Sequence, residues 1–406
     1  MSYRSNRQAV WLLLFSGSLF ALLLPFSCYV AAIPFVRMEW EMSNAMSAVV
    51  YSGFFLGYAI SALLVLPLTD KFTPAKILLC SAVVCVVSNV MFPILATGFL
   101  GAFCVRMITG VGLVGVYMTG LRVIAHTFPA ERKAAAMGFF VTAFYLALGM
   151  SLLASGLLLD HLSWRSTYLL LSILALVSLP LFYLALRSNL GIDSAGNSGW
   201  LMDIRVLLFS DARSYIIAYS IHAFELYAVR VWLPAFLLYV ISANDPVLHA
   251  GDVARSTVAA GVVLTVGSMC PFLGGLASDH FGRYSVSLAL LGSSVVCSAL
   301  LGFLVSIPWL GLIIFLIFYA CVISADSSIY STAITESVPT AVLGSTMAVQ
   351  AFLGLVGGAA GPIVLGLIFD MTGGYIKWPL GFGLLSAMSL VAVVAVGRTR
   401  LTGGRY

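Results

Sequence analysis

Gly156-Leu-Leu-Leu-Asp160 and Gly366-Leu-Ile-Phe-Asp370 decide how this 406-residue chain folds. The two stretches stand 210 residues apart, and each closes a long apolar run. The offset recurs. Pro129 returns as Pro339, Met137 returns as Met347, and Asp70 returns at 209 as Asp279. A period near half the length points to two equivalent structural halves, not to a solenoid of short units. In a membrane chain, two parallel repeats imply two bundles that rock about a central cavity, the architecture of many transporters.

Composition places the chain in lipid. It is 61% hydrophobic and only 9% charged, with a mean hydropathy of +1.08; a soluble domain carries roughly 25% charged residues. In a bilayer every backbone amide must find an internal partner, so helices or a closed barrel remain. The apolar runs are about 20 residues or longer and lack strand-like alternation, which selects helices. The net charge of +5 is not gathered into a basic run, so nucleic acid is not an expected partner. The seven cysteines all fall in apolar segments, without a CxxC pair or a histidine at ligand spacing. They predict neither disulfides nor a metal site, and no cofactor is expected. No nucleophile–base set appears either, which argues against an enzyme. The apolar stretch from Val10 to about Val36 is too long for a cleaved signal segment and reads as a retained first membrane helix.

Twelve apolar segments follow, at about 10–36, 43–68, 75–95, 97–126, 133–159, 165–187, 213–241, 253–278, 284–305, 308–334, 341–369 and 375–397. The expected fold is therefore an all-α membrane protein of twelve transmembrane helices in two pseudo-symmetric bundles. Residues 1–187 form the first bundle, 188–212 a glycine-rich polar linker, and 213–406 the second. An even count puts both ends on one side. With the N-terminus cytoplasmic, that side carries thirteen Lys and Arg against four on the other, so both termini and the linker are expected in the cytoplasm.

The breaks carry motifs. After the eighth segment stands Gly275-Leu-Ala-Ser-Asp279-His-Phe-Gly282-Arg283; after the second, Asp70-Lys71 survives with the glycines replaced. The fourth segment contains Arg106-Met-Ile-Thr-Gly110-Val-Gly112. Together these resemble the major facilitator superfamily over the whole chain. The runs Tyr117-Met-Thr-Gly-Leu-Arg122 and His222 to Pro234 are similar to bacterial permeases grouped with cyanate and nitrate/nitrite carriers. The resemblance implies a cavity lined by helices 1, 4, 7 and 10, alternating access, and function as a monomer. The fifth segment lacks the GxxxGP-type signature of proton-coupled drug exporters of that family.

Ionisable residues inside membrane helices are costly and mark sites by default. At about 1.5 Å rise per residue, Arg106, Glu225 and Arg230 fall near mid-depth and Asp326 somewhat nearer the inner end. At about 100° per residue Arg106 and Arg122 face opposite ways, while Arg106 shares a face with Tyr117. Tyr319, Asp326 and Tyr330 make one stripe, and His222 and Glu225 are neighbours. The expected substrate contacts are Arg106, Tyr117, Arg230, Tyr29 and Tyr319. The expected proton-coupling groups are Glu225, His222 and Asp326. Asp70, Lys71, Arg122, Asp279, Gly282 and Arg283 are expected to gate and brace. These residues predict a secondary transporter of a small organic or inorganic anion, coupled to protons, in the bacterial inner membrane. Drug or metabolite export by proton antiport, and a non-transporting sensor on the same fold, are the alternatives.

Overall fold

The computed structural model describes residues 2–65, 72–187, 204–244, 251–339 and 342–399. The glycine-rich stretch 188–203 of the expected linker, and Asp70 and Lys71, lie outside them. Sixteen α-helices are described: α1 Ser2–Leu22, α2 Cys28–Glu39, α3 Asn44–Val65, α4 Pro74–Leu95, α5 Phe99–Thr127, α6 Ala130–Leu159, α7 Trp164–Ala175, α8 Ser178–Leu186, α9 Ser210–Asn244, α10 Asp252–Gly267, α11 Cys270–Phe281, α12 Arg283–Leu301, α13 Trp309–Ala325, α14 Ser327–Glu336, α15 Leu343–Met371 and α16 Lys377–Gly397. Among the described residues eleven helical stretches are long and apolar enough to cross a membrane, and the first segment is a shorter apolar helix followed by α2.

Four of the expected segments are each two helices end to end. Proline explains three of the breaks, because its ring removes an N–H and crowds the carbonyl four residues earlier. Pro25, Pro180 and Pro271 act on Ala21, Leu176 and Gly267, and α1, α7 and α10 end within one residue of those positions. The rule is not absolute: Pro34, Pro93, Pro234 and Pro362 lie inside α2, α4, α9 and α15. The fourth break, between α13 and α14 at Asp326, has no proline near it.

The chain forms two compact units. The first contains Met1–Met42, Gly53–Ser198 and Val253–Gly261; the second contains Ser43–Ser52, Gly199–Asp252 and Val262–Tyr406. These limits depart from the expected division in two ways. Ile204–Leu208, expected as linker, is a 3-10 turn with Val206 buried, and it packs on α9 and α15. The start of α3 and most of the first two turns of α10 belong to the opposite unit from the rest of their half, and the two exchanged segments, at 43 and 253, are themselves 210 residues apart.

Within the first unit α1 packs on α6 and α8, and α4 on α5 and α7. Within the second, α9 packs on α15 and α12 on α16. The first apolar segment thus meets the fifth, and the third meets the sixth, in each half. Phe15 centres one core, stacked on Phe140 at 5.3 Å and edge-on to Phe182 at 5.5 Å. Trp378 centres the other, edge-on to Phe236 at 5.1 Å and tilted against Phe369 at 4.9 Å.

One polar cluster ties segment ends of the first unit together. Arg165 Nη1 donates to Glu39 Oε1 at 2.6 Å, Trp164 Nε1 donates to Glu39 Oε2 at 3.0 Å, and the Arg165 guanidinium lies 4.4 Å over the Trp164 ring. Partial burial pushes the Glu39 carboxyl up, but the bonds from Arg165 and Trp164 outweigh it and hold the group below the usual carboxylate value. A lowered folded-state value means that the stabilisation is present above the ordinary carboxylate range and lost as pH falls through the lowered one. Both side chains are more than a third exposed, so solvent screening limits the pair to about 0.5 kcal/mol. Glu39→Gln should lower the melting midpoint slightly at neutral pH, and the difference from the unmodified protein should vanish on acidification below pH ~4 in a thermal melt.

Candidate functional site

Each unit buries its own polar centre. In the first, the centre is Arg106 of α5, which has no exposed surface. Its guanidinium carbon lies 5.3 Å from the Phe26 ring centre, 5.7 Å from Tyr29 and 5.7 Å from Phe54. Nη1 donates to the Phe26 carbonyl at 3.3 Å. The break at Pro25 makes this bond possible, because residues 23–27 leave the helix and turn carbonyls sideways. Serines hold the same break: Ser151 Oγ donates to the Leu24 carbonyl at 2.6 Å and accepts from Ser27 N–H at 2.9 Å. Tyr117 sits apart, with its ring 4.9 Å from Phe144 and 5.9 Å from Phe140, and Arg122 is half-buried further along α5. Arg106 and Tyr117 share a helix face in the sequence but enter different aromatic groups in the fold.

The second unit holds two acid centres. His222 of α9 is 4% exposed and Asp326 is 4% exposed. His222 Nδ1 is 2.8 Å from Asp326 Oδ1, and Nε2 is 2.9 Å from Ser327 Oγ. Asp326 stands at the proline-free break, and its backbone carbonyl accepts from Ile329 N–H at 3.0 Å and Tyr330 N–H at 3.1 Å to start α14. The Tyr330 ring centre lies 5.8 Å from that of His222. An imidazole between a carboxylate and a hydroxyl has a fixed orientation.

Glu225, one turn along α9, is 3% exposed and is not joined to His222. Its Oε1 accepts from Ser294 Oγ at 2.6 Å and Tyr319 Oη at 2.5 Å, and its Oε2 accepts from Ser389 Oγ at 2.7 Å. These donors sit on α12, α13 and α16, so one carboxyl pins three helices to α9. Glu225 and His222, neighbours on α9, belong to two separate centres: Tyr319 of α13 joins Glu225, and Asp326, at the α13–α14 break, joins His222. Arg230 is 8% exposed, with its guanidinium 5.6 Å from the Tyr227 ring centre, and α9 continues through Pro234. Ser294, Ser389 and Ser327 were not singled out by the sequence, since a serine in an apolar helix looks the same whether it bonds its own backbone or a distant acid.

At the end of α11, Asp279 and Arg283 form an ion pair, and Arg283 Nη1 accepts nothing but donates also to Ser278 Oγ at 2.8 Å. Nη2 donates to Glu336 of α14 at 3.3 Å. Gly282 joins α11 to α12 at φ +86° and ψ 145°, which strongly favours glycine. This motif braces α11, α12 and α14 at their ends. Among the described residues no group of three His, Cys, Asp or Glu could hold a metal ion.

The model of the Major Facilitator Superfamily matches residues 15–362. A hexuronate transporter of Bacillus subtilis is 22% identical over 383 residues, which cover 89% of this chain and 88% of that protein. A probable sulfoacetate transporter of Cupriavidus necator is 22% identical over 299 residues, covering 68% and 66%. Among solved structures, a bacterial homologue of the human lysosomal transporter Spinster, inward-facing and occupied, superposes with a TM-score of 0.75 at 14% identity, covering 100% of this chain and 98% of that one.

Arg106 fills its aromatic enclosure as a large buried side chain. Arg106→Ala should therefore cost about 3 kcal/mol, read as a fall in the melting midpoint of purified protein. An unchanged melt would show that the enclosure does not depend on the guanidinium.

Proposed function

The chain belongs to the Major Facilitator Superfamily and is a membrane transporter, and we propose that it moves a small organic anion together with a proton across a bacterial inner membrane, by alternating access and as a monomer. The observation that carries the coupling is the His222–Asp326 pair, buried at a break in the tenth segment that no proline imposes. A helix broken without proline in lipid leaves backbone groups to be satisfied by side chains, and discontinuous helices are where transporters bind ions and substrates. His222 takes up the proton, Asp326 compensates its charge, and Ser327 orients the ring. Glu225 is the second acid of the same unit, and Tyr319 serves as its partner instead of as a substrate contact.

The anion class rests on buried cations and on the relatives. Arg230 lies on the same helix as His222, at low exposure. Arg106, Tyr29 and Tyr117 give the first unit a cationic and aromatic counterpart. Hexuronate and sulfoacetate, in the names of two relatives, are both small organic anions. The excess of Lys and Arg on one side supports cytoplasmic termini. Asp279, Gly282 and Arg283, with Asp70, Lys71 and Arg122, serve as braces and gates.

Purified protein in liposomes, with labelled glucuronate or sulfoacetate and an imposed pH gradient, tests the reading. Asp326→Asn and His222→Ala should each reduce gradient-driven accumulation about tenfold or more while leaving counterflow exchange close to normal. Accumulation in Asp326→Asn equal to that of the unmodified protein would overturn the coupling assignment. Exchange of neutral sugars but of neither anion would overturn the substrate class.

A further inference from the structure

Asp370 ends the repeat that opened the sequence, and its carboxylate caps a helix far away in the chain. Asp370 Oδ1 accepts from the backbone N–H of Asn44 at 2.8 Å and from Asn44 Nδ2 at 2.7 Å; Oδ2 accepts from Ala45 N–H at 2.8 Å. The first N–H groups of any helix lack partners within it. In α3 the third is met by Ser43 Oγ, which accepts from Met46 N–H at 3.1 Å, and the fourth by the Ser43 carbonyl, from Ser47 N–H at 3.1 Å. Asp370, 326 residues away, supplies the protein acceptors for the remaining two.

Three further observations tie this contact to the placement of α3. Residues 43–52 belong to the second unit while the rest of α3 belongs to the first. A Cβ on Gly366 would come within 2.9 Å of Ala45 Cα and N, so α15 touches α3 backbone to backbone there. Ser52 Oγ, near the end of the shared segment, donates to the Ala359 carbonyl of α15 at 2.8 Å. The equivalent segment of α10 is built differently. Gly156 and Gly261 give a contact of the same closeness, to Val258 and Leu153. Yet α10 carries its own acid, Asp252, in its first turn, and the described ion contact of Asp160 is its neighbour His161 at 3.9 Å.

We propose that Asp370 is a releasable latch that holds residues 43–52 in the second unit and sets the population of the conformation seen here. The inference rests on the alternating-access reading in one respect only, that α3 leaves α15 during the cycle. An acid at a helix N-terminus suits the task, since its bonds are charge-assisted yet few enough to break and re-form.

The test is the labelling rate of Ser52→Cys by a water-soluble maleimide in the full-length protein in lipid nanodiscs, with no substrate or pH gradient. The unmodified chain measures the background from its native cysteines. Ser52 is 6% exposed, so its replacement reacts only when the segment leaves α15. Adding Asp370→Ala should raise the rate about tenfold, the size expected for losing a charged helix cap. Gly366→Ala should raise it in the same direction by wedging the helices apart, and carries the test if Asp370→Ala does not fold. Asp160→Ala should leave it unchanged. Equal rates with and without Asp370, or an equal rise on Asp160→Ala, would overturn the latch. Because no solute is present, that result would leave the transport assignment standing, and failed transport would leave the latch standing.

Discussion

A peptide group inside a bilayer has no water to turn to, and this constraint governs the structure at every interruption of a helix. Where Pro25 ends α1, the freed Leu24 and Phe26 carbonyls are met by Ser151 and Arg106. Where α13 ends without a proline, Asp326 closes one helix and opens the next. Where α3 begins, an aspartate from α15 covers its first two amides. At each of these ends and breaks a polar side chain supplies the missing partner, and the His222–Asp326 pair stands at one of them.

Function follows from that economy. A buried acid or base is tolerable only with partners, and here the partners differ. His222 and Asp326 answer each other across α9 and the α13–α14 break, whereas Glu225 is answered by three neutral hydroxyls from three helices. Removing one member of the first pair leaves the other buried without its ion contact; removing the second set alters how four helices are held together. Glu225 and Asp326, two acids of one unit and both almost wholly buried, are thus held in different ways, one by hydroxyls of three helices and the other by an imidazole.

Much of the fold was legible in the sequence because lipid imposes long apolar runs, and because Gly156, Asp160, Gly366 and Asp370 keep their spacing. The helix breaks were legible in principle at Pro25, Pro180 and Pro271, but Pro34, Pro93, Pro234 and Pro362 carry the same local signal and break nothing, since neighbouring packing overrides it. The break at Asp326 left no local trace. Helical angles set Tyr319, Asp326 and Tyr330 on one stripe of an ideal helix; in the fold Asp326 and Tyr330 meet His222, while Tyr319 bonds Glu225. The serines around Glu225 were invisible for a different reason: hydroxyls that bond i−4 carbonyls, as Ser298 does, have the same sequence signature as those that reach across the bundle.

The distance along the chain between Asn44 and Asp370 also bears on how the protein is made. A ribosome adds about 5–20 residues per second, so α3 enters the bilayer tens of seconds before the acid that completes its first turn has been synthesised. Throughout that interval two amides at its leading edge have no acceptor from α15. The contact that joins residues 43–52 to α15 is therefore made only when nearly the last helix has been translated.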